Sequence, residues 1–212
     1  MDNITHKTRE EWLEAAMVLM HHDVFTTAQI NPSEWENKKI KISCSFPMAY
    51  RGSRSGKAVT LGQAFDPIVS EGGFTEIVIN PLLDNPMDVL ATTAHEMIHG
   101  FVGIECGHRG DFARVARAIG YIGPLTVVDL TKLTNSITPA LESKFKEIAD
   151  ILGSYPHSKV DPQLRKKQTT RNLKLECKNC GFTARASATQ LAKIGPNAPC
   201  PVCETRGNLI TQ

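Results

Sequence analysis

The sequence predicts an α+β chain in parts: a body over residues 1–153, a basic arm over 154–174 and a small cysteine-bearing module over 175–212. Three observations carry this. Helix-start signals at Thr8, Asn85 and Thr138 each precede apolar residues at helical spacing. Residues 39–80 turn instead to alternation and β-branched side chains. Near the end stand two Cys-x-x-Cys pairs.

The first helix opens at Thr8-Arg-Glu-Glu11, a capping box in which hydroxyl and carboxylate satisfy each other's free backbone donors. It places Trp12, Ala16, Leu19 and Met20 on one face. The runs KIKISCSF, KAVTLGQAF and TEIVIN then read as a small antiparallel sheet, with YRGSRSGK over 50–57 as a mobile basic loop. Asn85-Pro86 starts a helix through MDVLATTAHEMIHGFVG, because asparagine caps and proline suits the first helical position. DFARVARAIG is a shorter helix closed by Gly120, LTVVDLTKLTNS is ambiguous, and Thr138-Pro139 opens a helix closed by Gly153. The arm SYPHSKVDPQLRKKQTTRNLK is charged and poor in apolar residues, so it reads as a surface linker.

Charge is unevenly spread. Residues 1–150 carry 14 Lys+Arg against 19 Asp+Glu, and residues 151–212 carry 10 against 3. An acidic body with a basic tail points to an anionic partner for the tail. No apolar run approaches the ~20 residues of a membrane helix, and the polar start MDNITHKTREEW is unlike a secretory signal. The expectation is a cytoplasmic protein with no membrane partner, monomeric by default, whose cysteines are thiols or metal ligands.

The chemistry concentrates in TTAHEMIHGFVGIECGHRGDF, residues 92–112. His95 and His99 lie one turn apart on one helix face, so both reach one metal ion. Glu96 flanks that face. Zinc lowers the pKa of a bound water toward about 7, and a carboxylate there takes the proton. So short a motif arises by chance often enough that its context matters. Here it falls in a well-capped helix among Val89, Leu90, Met97, Ile98 and Phe101.

A third protein ligand is needed, and Glu105, Cys106, His108 and Asp111 all follow closely. A metzincin would place histidine where Glu105 stands. On a continued helix Glu105 sits too far round and too far along to ligate. Asp111 opens the next helix, where its charge suits the dipole, and catalytic zinc favours histidine or carboxylate over Cys106. His108 fits best: Gly107 and Gly110 let the chain turn back, and Phe112, Val115 and Ile119 can hold the loop.

HEMIHGFVGIECGHRGDF resembles the SprT-like zinc metalloproteases, a family that includes DNA–protein crosslink proteases. The family has His-Glu-x-x-His followed by a loop histidine beside glycine, with an aromatic shortly after. The segment TEIVINPLL is similar to the family's strand and Asn-Pro stretch. The resemblance spans residues 10–153 in order of elements and is specific over 92–112. It implies a zincin-like fold, a zinc held by His95, His99 and His108, and a catalytic Glu96.

Cys177-Lys-Asn-Cys180 and Cys200-Pro-Val-Cys203, with 19 residues between, have the spacing of a closed four-thiolate zinc site. So small a module cannot bury enough core alone, and the metal would supply folding energy. The module is similar to the zinc ribbon that ends many SprT-like chains, with NLKLEC and GFTARAS as hairpin strands. Arg165, Lys166, Lys167, Arg171 and Lys174 lead into it, and Lys178 and Arg185 lie inside it. These are the candidates for DNA phosphate contacts. The expectation is two zinc ions per chain, one catalytic and one structural. The expected function is a DNA-associated zinc endopeptidase acting on a protein or peptide substrate. The competing expectation is a non-proteolytic zinc-containing DNA-binding regulator. Tyr50, Tyr121 and Tyr155 are candidates for oxyanion stabilisation, each more readily structural.

Overall fold

The computed structural model describes residues 6–28, 38–48, 60–126, 136–158, 160, 172–195, 197–206 and 209–211. The chain divides into two compact units, Met1–Gln163 and Leu164–Gln212. Its architecture is mixed α+β, with five α-helices and two small sheets among the described residues.

In the first unit α1 (Arg9–Asp23) opens on the full capping box between Thr8 and Glu11. It buries Trp12, Leu13, Ala16 and Met20, whereas Leu19, expected on that face, is only partly buried. Strands β1 (Ile40–Cys44), β2 (Gly62–Phe65) and β3 (Thr75–Ile79) form a sheet in the order β1-β3-β2. The expected antiparallel sheet is in fact mixed. β3 pairs parallel with β1 and antiparallel with β2. β3 turns Thr75, Ile77 and Ile79 into the core, and its alternation makes it the central strand. β1 and β2 take its two edges and do not pair with each other, so no short hairpin joins them.

Helix α2 (Pro86–Val102) packs against β2, β3, α1, α3 (Gly110–Ile119) and α4 (Pro139–Leu152). It is therefore buried on most sides, from Val89 to Phe101. α4 starts where Thr138 accepts the Leu141 N–H, and it ends at Gly153. The basic loop over 50–57 lies outside the described residues, as does most of the ambiguous stretch before Ser136.

The expected linker does not begin at residue 154. Tyr155 is buried and stands edge-on to Trp12 at 5.0 Å. Arg9 donates to the Pro156 and Ser158 carbonyls at 3.2 and 2.5 Å, and the Val160 N–H donates to Pro81 at 2.8 Å. One aromatic ring and these backbone bonds tie the segment to the body despite its charged composition.

The second unit holds β4 (Leu173–Cys177), β5 (Thr183–Ala186), α5 (Ala188–Ile194) and β6 (Leu209–Thr211), with sheet order β5-β4-β6 and both pairings antiparallel. The hairpin follows the expected strands. Helix α5 is an addition, built on a capping box between Ser187 and Gln190.

Candidate metal centres

Asn85 accepts the Met87 N–H at 2.9 Å and Pro86 fills the first position, so the start of α2 is fixed. The helix stops at Val102 because Gly103 has φ 91°. Two turns follow, closed by Gly107 N–H to Ile104 and Arg109 N–H to Cys106, both at 3.1 Å. They carry His108 back to the helix. Its Nε2 lies 3.0 Å from His95 Nε2 and 3.3 Å from His99 Nε2.

This spacing tests the fit of a metal. Zinc–nitrogen bonds of 2.0–2.1 Å at tetrahedral angles put neighbouring nitrogens about 3.3 Å apart. Burial pushes His95 down to about 3, helped by His99 and His108, and His99 to about 4, helped by His108; burial also lowers His108. At neutral pH all three rings are uncharged, with lone pairs available to a shared cation. The residues fit zinc.

Phe112, fully buried on α3, supports all three rings, with centroids 5.0, 4.3 and 4.9 Å from His95, His99 and His108. Among the described residues, His99 Nδ1 is buried without a hydrogen-bond partner. Its ring is therefore held by packing rather than by the outer carboxylate or carbonyl that usually orients a ligating histidine.

The other ligand candidates stand aside. Glu105 is exposed. Cys106 Sγ points back toward the Val102 and Gly103 carbonyls at 3.8 and 3.6 Å. Asp111 pairs with Arg114 at 3.2 Å. Glu96 is 6% exposed, and burial pushes its carboxyl up to about 8, with the Ala64 backbone N–H acting the other way. The Tyr121 hydroxyl is buried and donates to the Ala91 carbonyl, while Tyr155 belongs to the α1 wall; Tyr50 lies outside the described residues. The neighbours of Glu96 on β2, Gly62 and Ala64, were not anticipated. A glycine inside a strand is the signal that could have found the first.

The four cysteines form a second cluster. Cys177 and Cys203 Sγ are 3.7 Å apart, and Cys180 and Cys200 Sγ 3.6 Å. Zinc–sulfur bonds of 2.3 Å imply about 3.8 Å. Each pair closes a tight turn, Gly181 N–H to Cys177 and Glu204 N–H to Cys200, both 2.8 Å. Asn179 and Thr205 donate to Cys203 and hold it down to about 5. At Cys180 the Phe182 N–H acts downward, but burial and the three other sulfurs push the thiol up to about 12. Four such sulfurs cannot all ionise without a cation among them, so this cluster also fits zinc.

The proposed phosphate contacts are less gathered. Arg165, Lys166, Lys167 and Arg171 lie outside the described residues. Lys174 faces Arg185 across the β4–β5 ladder, but its ammonium pairs with Glu176 at 2.9 Å. Lys178 and Arg185 are exposed. Among the described residues no helix is long and apolar enough to cross a membrane.

Comparisons with family models, curated proteins and solved structures return no match. Function must then be read from the donor sets themselves: one open and nitrogen-rich beside a buried carboxylate, the other closed and all sulfur.

Proposed function

We propose that this chain is a zinc-dependent endopeptidase that works on DNA-associated proteins. The observation that carries the reading is the approach of His108 Nε2 to His95 and His99 Nε2, at 3.0 and 3.3 Å, with Glu96 on the same helix as those two. Three neutral nitrogens leave one tetrahedral position for reacting groups, the mark of a catalytic rather than a structural site. Zinc bound there would supply Lewis acidity, lowering the pKa of water and polarising a carbonyl.

Glu96 is the proton acceptor in this reading. Its buried setting makes it a stronger base than a solvated glutamate, while the Ala64 N–H favours its ionised form. Strand β2 is an edge of the sheet. An extended peptide can add there as a further strand, with backbone hydrogen bonds that depend little on sequence. The four-cysteine zinc is structural, since no position stays open. The excess of cations after residue 150 supports a polyanionic partner, for which DNA is the proposal.

The test is hydrolysis of an unfolded protein substrate, with and without DNA, by wild type and Glu96→Gln. General-base removal costs about 10²–10⁴-fold, so Glu96→Gln should lose at least that lower amount while keeping both zinc ions. Equal rates in the two proteins would remove the enzyme reading and leave a zinc-containing DNA-binding regulator.

A further inference from the structure

Gly62 stands apart from the other glycines near the site. Gly103, Gly107 and Gly110 have φ of 91°, 52° and 52°, a region that side chains avoid. Gly62 is not among the positive-φ glycines. It begins β2 in regular antiparallel register with Ile79, and its backbone accepts any residue. What it lacks is room. A Cβ there would meet Glu96 Cγ at 2.7 Å, Glu96 Oε1 at 2.8 Å and Thr92 Cγ2 at 2.8 Å.

The contact follows from the two periodicities. Gly62 and Ala64 pair with Ile79 and Ile77, so they face the core side of the sheet. Thr92 and Glu96 are one turn apart on α2, on one face, at 3% and 6% exposure. Strand backbone and helix side chains thus meet with no layer between them. Glu96 is enclosed, and its stem cannot swing toward β2.

We propose that Gly62 is a positioning residue for Glu96: the bare strand at this point is the wall that fixes where the carboxylate sits. The inference rests on the peptidase reading for its catalytic consequence, but the contact itself does not. A methyl group at residue 62 must displace either the strand or the Glu96 side chain. Misplacing a reacting group by about 1 Å can cost about 100-fold in rate.

The experiment uses the full zinc-loaded chain. Gly62→Ala should keep both zinc ions and a KM within about twofold of wild type, while kcat falls about 10- to 100-fold. Adding Thr92→Ser, which deletes the other obstacle, should restore part of the rate. Thermal unfolding supplies a readout that needs no activity. Gly62→Ala should lower the midpoint in the wild-type background and much less in a Glu96→Ala background, because neighbours in contact are not additive. An unchanged kcat with zinc retained, or the same loss of stability in both backgrounds, overturns the proposal. If wild type hydrolyses nothing, the peptidase reading falls on that result alone, and the stability cycle still decides the Gly62–Glu96 seat.

Discussion

The Nε2 atoms of His95 and His108 lie 3.0 Å apart across thirteen residues of chain. The helix end at Val102, the turns through Gly107 and the ring of Phe112 together produce that approach. Each can be perturbed separately.

His108→Ala should remove one of two zinc ions and abolish hydrolysis. Loss of an outer-shell partner costs about 10–100-fold in metal affinity or activity, and loss of a ligand should exceed that. Zinc content by elemental analysis checks the first part. Because His108 is only half-buried in a loop, the unfolding midpoint of the metal-free protein should change little.

Phe112→Ala removes the ring beneath all three histidines. A buried phenylalanine truncation costs about 3–5 kcal/mol, read here by denaturant unfolding. Phe112→Leu, which keeps more volume, should retain most of the stability yet weaken zinc binding at this centre, because the flat support is gone. Undiminished zinc affinity would show that the loop alone places the ligands.

The metal-free first unit should be most stable near pH 6.5. His95 and His99 are depressed from 6.5 to about 3 and 4, so the folded chain holds fewer protons there and stability rises with pH up to 6.5. Glu96 is raised from 4.5 to about 8, so the folded chain holds an extra proton and stability falls as pH climbs toward 8. Below 6.5 the histidines outnumber Glu96; above it Glu96 acts alone, for about 2 kcal/mol between pH 6.5 and 8. Glu96→Gln should flatten the alkaline limb and steepen the acid one between pH 4.5 and 6.5, where Glu96 opposes the histidines. Both tryptophans, Trp12 and Trp35, lie in the first unit, so their fluorescence reports it without interference from the cysteines.

Glu204 occupies a left-handed conformation, φ 58°, at the position where Gly181 serves the first cysteine turn. Glycine should suit it better by about 1 kcal/mol. Glu204→Gly should therefore slow zinc loss to a chelator from the four-cysteine site and leave the histidine site unaffected.

The helices were legible because their signals are local. Thr8, Asn85 and Thr138 each bond a backbone N–H within three residues. The same kind of signal, Ser187 with Gln190, marked α5 and went unread beside the cysteines. The central place of β3 and its parallel partner were not legible, since pairing between Ile42 and Ile77 joins residues far apart in sequence. The histidine loop was readable from its glycines and chemistry. The seat of Glu96 on Gly62 was not, because it needs sheet and helix packed together.

For the tail, truncation belongs after Gln163, because the Val160 N–H is still bonded to the Pro81 carbonyl of the first unit. Residues 1–163 should bind DNA more weakly than the full chain and with a shallower salt dependence. Unchanged affinity and slope would move any DNA contact to the first unit.

In the proposed reading the three histidines hold a catalytic zinc and the four cysteines a structural one. Stepwise chelation of the full chain, following zinc content and peptide hydrolysis together, tests it most directly. The prediction is two zinc ions, with activity lost in step with the first to leave and recovered when zinc is returned. A single zinc per chain, or hydrolysis that survives removal of the first ion, would contradict it.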